Sequence, residues 1–366
     1  MQIPPGICQQ DYSFTLMLLE KECKQLSATA RKELERAGAT PTKEEIHALY
    51  HTKRQEQGKK PVALIVGASR GIGRQVAIDL AKNGYAVVVA AKSTSDATST
   101  SPFPPDPNSS ASTISTVERE IREAGGTAVA ISVDTRSPHS ITSLFAIAST
   151  FYGHIDVVIY NSGAIWWSSV QNTPFKRFQL MQQVNVEGLY AVVQAALPQF
   201  EKQGWKGRII VVSPPIYSRF FRGKTGYAMG KVGMSVVTKG LAMDWEREGK
   251  SDMAITSIWP AVAIESAATQ NVEGENRQDL RKPTIYSDAI LEMLRAEPRD
   301  VNGCLELDED FLRKRGWRDE DFEKYNVVLG SKPRRIMPKE LPDLTVAEQD
   351  DEGKRVDSTK LRATKI

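Results

Sequence analysis

Apolar positions along this chain follow two different periods. Between residues 13 and 37, Leu19, Cys23, Leu26, Ala30 and Leu34 recur at steps of four and three, which keeps one face apolar and predicts an amphipathic helix ended by Gly38. Thr42 followed by Glu45 fits a capping box and opens a second helix through about Arg54, and the polar run 55–60 reads as a linker. At Pro61 the pattern changes. Val62 to Val66 is a short continuous apolar run, the signature of a strand buried on both faces, and it meets Gly67 at once. A helical pattern with Val76, Ala77, Leu80 and Ala81 on one face follows, then Gly84 and the second apolar run Ala86 to Ala91. This is one strand–turn–helix–strand unit of about 30 residues. Further strand-like runs are Ala128 to Val133, Ile155 to Tyr160, Arg208 to Ser213 and Ala254 to Trp259, separated by helical patterns. Such alternation predicts an α/β fold built on a doubly wound parallel sheet.

Two stretches break the alternation. Residues 93–116 are rich in Ser, Thr and Pro and read as an exposed low-complexity insertion. From Pro338 onward the chain is charged without an apolar period, so residues 331–366 are expected to form a flexible tail. The predicted organisation is a helical extension over 1–59, one nucleotide-binding domain over 60–330, and that tail.

Composition narrows the class of function only a little. The 366 residues carry 48 basic and 45 acidic side chains, a net charge of +3 that calls for neither nucleic acid nor a membrane surface. No apolar run approaches the roughly 18 residues of a spanning helix. The N-terminus lacks a basic start, a small-residue cleavage site and Arg-rich character. Three scattered cysteines, Cys8, Cys23 and Cys304, suit a reducing compartment. The cytosol is expected, with peroxisome or mitochondrion as alternatives.

Candidate chemistry begins at the first strand-to-helix turn, Gly67-Ala-Ser69-Arg70-Gly71-Ile72-Gly73. Glycines here let a backbone approach a pyrophosphate, and the following helix N-terminus favours its charge. The second strand ends Ala90-Ala91-Lys92 with no acid to bind a ribose 2′-hydroxyl. With Arg70 as a second cation, the pattern points to the 2′-phosphate of NADP(H). Tyr227 and Lys231 stand at i and i+4, one face of a helix, where an ammonium would favour phenolate. Ser213 ends an apolar run and so lies at the carboxyl edge of a sheet; Asn161 and Asn185 are further polar candidates.

The order of Gly67-x-x-x-Gly71-x-Gly73, Asp134, Asn161-Ser162-Gly163, Asn185, Ser213, Tyr227-x-x-x-Lys231 and Pro260 resembles the short-chain dehydrogenase/reductase superfamily over roughly residues 60–330. Within it, Ser213-Pro-Pro215, Tyr227-Ala-Met-Gly-Lys231, Trp259-Pro260-Ala-Val-Ala-Ile264 and Gly303 to Asp310 are similar to the hydroxysteroid dehydrogenase-like 2 group. The resemblance implies a Rossmann-like sheet and a dinucleotide held by Gly67, Ser69, Arg70, Gly71, Ile72, Gly73, Lys92, Asp134, Asn161, Gly163, Tyr227, Lys231, Pro260 and Ile264. It implies a catalytic set in which Tyr227 exchanges the proton, Ser213 bonds the carbonyl oxygen, Lys231 lowers the tyrosine pKa and holds the ribose, and Asn185 positions a water relay. It also implies a homo-oligomer and a small-molecule carbonyl or alcohol substrate. The chain departs from the superfamily in four places. Val66 stands for Thr, Tyr160 for the first Asn of Asn-Asn-Ala-Gly, and Ala261 for Gly after Pro260; Ser213 lies one residue farther from Tyr227, with Pro214 at the usual serine position. A sterol-carrier domain, frequent in that group, is not expected in the sequence after residue 330.

Other features have ordinary readings. His47 and His51 stand at i and i+4, but Ala48 replaces a protease glutamate and a surface helix is favoured, so no metal is expected. Trp166-Trp167 fits either core packing or a substrate edge, and Arg219-Phe-Phe-Arg222-Gly-Lys224 either a solvated loop or a clamp for an acidic substrate. Two other classes stay open: a catalytically silent NADP(H) sensor, and an interaction protein working through its N-terminal helices.

Overall fold

The computed structural model describes residues 60–269 and 274–344. The two predicted N-terminal helices, with His47 and His51, lie outside the described residues. In chain order the elements are β1 (Val62–Val66), α1 (Gly71–Lys82), β2 (Ala86–Ala91), α2 (Ile114–Glu123), β3 (Thr127–Ser132), α3 (Pro138–Tyr152), β4 (Val157–Tyr160), α4 (Phe175–Gln182), α5 (Gly188–Lys202), β5 (Gly207–Val212), α6 (Thr225–Arg247), β6 (Met253–Trp259), α7 (Thr284–Arg295), α8 (Pro298–Val301), β7 (Leu305–Leu307) and α9 (Asp308–Lys314). The seven strands form one parallel sheet in the order β3-β2-β1-β4-β5-β6-β7. This is the doubly wound architecture that the alternating pattern predicts.

The strand runs are uninterrupted in apolar residues because both faces of the sheet are covered. Side chains alternate across a strand, so Ala63 and Ile65 of β1 join Val87 and Val89 in a core with α1, α2, α7 and α9. Val62, Leu64 and Val66 join Ala86 and Val88 in the other core with α3, α5 and α6. Fully burying one such Leu or Ile contributes about 1.5–3 kcal/mol, which makes the register of β1 costly to slip. All seven strands point the same way, so their carboxyl ends form one edge. Gly67, Lys92, Asn161, Ser213 and Pro260 each follow a strand on that edge, and the order in which strands are added reverses between β1 and β4.

Two segments differ from expectation. The Ser/Thr/Pro-rich stretch is not an exposed insertion throughout. Its end begins α2 behind a Thr113–Thr116 capping box, Ser112 is buried, and its hydroxyl donates to the Ser69 carbonyl at 2.7 Å. Composition alone does not reveal that these small polar side chains have backbone partners inside the fold. Likewise, the region from residue 331 is not simply a free tail. Ile336 N–H and Met337 N–H donate to the Ala261 carbonyl at 2.8 and 3.3 Å, and Met337 is buried. One methionine in a charged stretch carries this contact, too little to register as a period. Residues 345–366 lie outside the described residues.

The backbone after β6 is pinned by a buried arginine. Arg281 N–H donates to Ala263 O at 2.9 Å, and the Arg281 carbonyl accepts from Glu265 N–H at 2.9 Å. Its guanidinium donates to Phe322 O, Asn326 Oδ1 and Glu309 Oε2 at 2.9, 3.1 and 3.0 Å. Both side chains of the Arg281–Glu309 pair are 8% exposed. Breaking such a pair leaves an uncompensated buried charge. Arg281→Leu is therefore expected to cost about 3–5 kcal/mol in denaturant unfolding, and the double variant with Glu309→Leu should recover part of that loss. A double variant less stable than Arg281→Leu alone would contradict this account.

Candidate active site

Tyr227 and Lys231 sit in the first turns of α6, on the side that faces the carboxyl ends of the sheet. Both are almost fully buried, at 3% exposure each. The Tyr227 ring meets Trp167 edge-on at 6.2 Å and Phe220 at 6.3 Å, while its hydroxyl has no hydrogen-bond partner among the described residues. The Lys231 ammonium donates to the Val212 carbonyl at the end of β5 at 2.9 Å and lies 5.5 Å from the centre of the Trp259 ring. Gly163 marks where the expected groups converge. A Cβ at that position would lie 3.3 Å from Lys231 Nζ and 3.5 Å from Asn185 Oδ1.

Asn185 is fully buried in a π-helical turn, Gln183–Glu187, between α4 and α5. Such a turn inserts one extra residue and disturbs the regular carbonyl pairing, a feature concentrated at functional sites. Asn185 Oδ1 accepts from Ala164 N–H at 2.9 Å and Asn185 Nδ2 donates to Ala164 O at 3.2 Å. Tyr160, the residue that departs from the superfamily pattern, reaches the same turn: its hydroxyl donates to Val184 O at 2.5 Å. Gly188 leaves the room, since a Cβ there would collide with the Tyr160 oxygen. Gly230 does the same for α6, where a Cβ would stand 3.2 Å from both Cβ and Nδ2 of Asn185. The supporting roles of Tyr160, Gly188 and Gly230 were missed in the sequence; for α6 the available signal was Gly226-x-x-x-Gly230-x-x-Gly233, small residues flanking Tyr227 and Lys231.

The structure places Ser213 otherwise than the resemblance implies. Ser213 is fully buried and turned into the sheet. Ser257 Oγ donates to the Ser213 carbonyl at 2.5 Å, which leaves Ser213 Oγ to donate to Ser257 Oγ at 2.9 Å. Its hydroxyl joins β5 to β6. The extra residue before Tyr227 is the physical reason, because Ser213 sits one position deeper in the strand exit. Ser218, which offers a hydroxyl in the turn before α6, is exposed. Burial pushes the Tyr227 pKa above its ordinary value and pulls Lys231 down to about 7.

The glycine turn is explained partly by packing. A Cβ at Gly67 would lie 2.6 Å from Ser162 N, and one at Gly73 would collide with the Gly67 carbonyl and with Asn161 Nδ2, which donates to that carbonyl at 2.9 Å. Gly71 differs. With φ of 57° it needs left-handed backbone, but a Cβ would meet nothing closer than Ser266 at 3.5 Å and Asn108 at 3.6 Å. The Gly71 N–H itself donates to Pro107 O at 2.9 Å. Ser69 and Ile72 pack inward, Arg70 is half-buried just before α1, Pro260 is half-buried after β6, and Ile264 is buried beside Arg281.

At the end of β2, Lys92 pairs with Asp134 at 3.1 Å, so two residues expected to hold the cofactor hold each other. Arg136, not singled out in the sequence, forks the same carboxylate at 2.9 and 2.5 Å and keeps it well below the usual carboxylate range. One acid thus serves two cations, and positive charge is left over at this edge.

Lys231 makes the site testable by pH. Its folded pKa of about 7 lies below the ordinary 10.5, so the unfolded chain binds more protons between those values. Stability from this residue is present above about pH 10.5 and is lost as pH falls through about 7. The Tm advantage of Lys231→Met over the unmodified protein is therefore expected to shrink as pH rises across that window. A difference that stays constant with pH would sink the assignment.

The sequence profile of the short chain dehydrogenase family matches residues 61–101 and 108–277. Hydroxysteroid dehydrogenase-like protein 2 of Mus musculus is 33% identical over 269 residues, 73% of this chain and 51% of the mouse protein. The Danio rerio protein of the same name is 34% identical, over 73% of this chain and 60% of its own length. This chain thus spans half to three-fifths of the length of these relatives. A putative dehydrogenase from Xanthomonas campestris superposes with a TM-score of 0.65 at 32% identity, covering 79% of this chain and 98% of the other. A short chain dehydrogenase from Mycobacterium thermoresistibile gives 0.64 at 32% identity, covering 75% and 92%. With the glycine turn, the buried asparagine and the Tyr–Lys helix in place on a parallel sheet, this chain belongs to the short chain dehydrogenase family.

Proposed function

We propose that the protein is an NADP(H)-dependent oxidoreductase that interconverts a carbonyl and a secondary alcohol, with Tyr227 as the acid and base. The observation that carries this reading is the convergence of Lys231 and Asn185 on Gly163 at the carboxyl edge of the sheet, with Tyr227 buried one turn before Lys231 on the same helix. The dinucleotide, when bound, supplies or accepts the hydride. Gly67, Gly71 and Gly73 would hold its pyrophosphate, Lys92 and Arg70 its 2′-phosphate, and Asp134, Asn161, Gly163, Pro260 and Ile264 the rest of its length.

In reduction Tyr227 donates its proton to the carbonyl oxygen. A phenol whose pKa burial has raised stays protonated through neutrality, which suits the acid role. Lys231, nearly neutralised by burial but donating to Val212 O, orients at the foot of the site and becomes a hydrogen-bond donor to whatever polar group replaces that carbonyl. Asn185 holds the backbone of Ala164 in place against α6. The inward Ser213 hydroxyl supports the alternative of a nucleotide-binding protein without turnover, because it withdraws one expected substrate contact.

Steady-state oxidation of NADPH with a panel of carbonyl compounds separates the two readings: turnover supports the enzyme, and its absence across the panel supports the sensor. Tyr227→Phe removes the exchangeable proton and little else, so turnover is expected to fall by about 10²- to 10⁴-fold while NADPH binding persists. Near-normal turnover in that variant would overturn the mechanism.

Cofactor choice follows the surplus charge at Lys92, Arg70 and Arg136. NADPH is expected to bind more tightly than NADH, by a margin that grows at low salt, and Lys92→Asp should abolish the preference. Equal affinities in the unmodified protein, measured by titration, would refute it.

A further inference from the structure

The walls around Tyr227 are built by two stretches without a single carboxylate. Residues 157–186 and 202–243 contain no Asp or Glu, although the whole chain holds nearly as many acids as bases. They contribute Lys176, Arg177, Arg219, Arg222 and Lys224 beside Lys231. On the facing segments Glu265 is engaged by Arg277 at 2.6 Å, Asp310 by Arg335 at 2.7 Å, and Glu309 by Arg281 and Arg313 at 3.0 and 2.8 Å, while Asp308 is buried and accepts from Ala261 N–H and Glu309 N–H at 2.8 and 2.7 Å.

Lys224 is placed differently from the other cations. It is the residue before α6, one helical turn from Tyr227, and is half-buried. Its ammonium lies 4.2 Å from the centre of the Phe220 ring and 6.0 Å from that of Trp167, the two rings that touch Tyr227. Among the described residues it has no hydrogen bond and no ion pair. Lys250 offers a contrast: it too lies over a ring, Trp205 at 3.2 Å, but it is paired with Glu248 at 2.7 Å. Burial lowers the Lys224 pKa, and no neighbouring acid offsets this. A cation–π contact of its own does not require the loss of water or the absence of acids from both walls.

We propose that Lys224 is a substrate-binding residue that takes the carboxylate of an oxo acid, whose apolar part lies along Trp167, Phe220 and Met337 and whose carbonyl reaches Tyr227. This rests on the oxidoreductase reading and names its substrate class. The exposed Trp167 ring and the buried Phe220 ring form an apolar floor between the ammonium and the phenol, and Met337 belongs to the same cluster as Tyr227 and Phe220. The reaction balances without further reagents. Hydride from NADPH forms the new C–H bond at the carbonyl carbon, Tyr227 gives its proton to the oxygen and regains one from water, and the products are the hydroxy acid and NADP⁺. The carboxylate is untouched.

The test uses the full chain saturated with NADPH. Octanoate and octanamide have the same length and differ in charge, and their binding is read from tryptophan fluorescence, to which Trp167 contributes. Octanoate is expected to bind at least about tenfold more tightly, the effect of one charge-assisted hydrogen bond. Lys224→Gln should reduce that preference to below about twofold, Lys224→Arg should keep most of it, and Arg222→Gln, an exposed charge control, should change it less than Lys224→Gln does. Equal binding of the two probes, or a preference that survives Lys224→Gln, overturns the proposal. A second arm compares reduction of medium-chain oxo acids with that of their methyl esters, and Lys224→Gln should raise KM for the acids alone. If esters are reduced as well as acids, the anion site is wrong and the oxidoreductase reading stands. If octanoate is preferred but no carbonyl compound is reduced, the anion site stands and the oxidoreductase reading fails.

Discussion

The candidate site depends on a pair of half-buried hydrogen bonds between the Asn185 amide and the backbone of Ala164. That pair ties the turn after β4 to the π-helical turn before α5, and α6 closes on the same asparagine through Gly230. Each bond satisfies a backbone group that would otherwise be buried without a partner, a cost of about 1–3 kcal/mol apiece. The geometry around Gly163 follows from it: Lys231 and Asn185 can approach one glycine only because sheet, π turn and helix are held at one fixed separation. Tyr160 works on the same point from below. A phenol in place of a short amide is long enough to reach Val184, and Gly188 supplies the space that the longer side chain needs.

Burial then sets the chemistry. Removing water from around Tyr227 and Lys231 disfavours both charged forms, raising the phenol and lowering the ammonium. Aromatic rings, with no dipole strong enough to stand in for water, make up much of the surroundings: Trp167 and Phe220 at Tyr227, Trp259 at Phe220 and Lys231. In such a setting one uncompensated cation has a longer reach than on the surface. The charge distribution is arranged accordingly, with surplus positive charge at the β2 edge near Arg70, Lys92 and Arg136 and again at the opposite mouth near Lys224.

Segments outside the family profile border both halves of this site. Residues 102–107 fall in the gap of the match, and Pro107 at its end supplies the carbonyl that holds Gly71 at the start of α1. Residues beyond 277 bring Arg281 to the loop after β6, and Met337 to the cluster that contains Tyr227. The sheet and its edge are thus the shared framework, and additions outside the profile contribute contacts at its borders.

The strands were legible because burial on both faces leaves nothing but apolar residues in them: Val62–Val66 and Ala86–Ala91 match to the residue, and the other runs to within two. The Tyr227–Lys231 pair was legible for a different reason, since helical spacing places i and i+4 on one face whatever surrounds them. Local signals of this kind depend on neighbours in the chain. They could not say which way the Ser213 hydroxyl turns, because its partner, Ser257, lies on another strand and the choice is made by strand pairing. The pairing of Lys92 with Asp134, the grip of Tyr160 on Val184 and the burial of Met337 against Ala261 join residues far apart in sequence. The sequence by itself determined the sheet, its edge and the identity of the Tyr–Lys helix, through periodicity and spacing. Only the tertiary structure decided which polar groups are left free to meet a ligand, because a hydrogen bond or an ion pair is spent on whichever partner folding brings within about 3 Å.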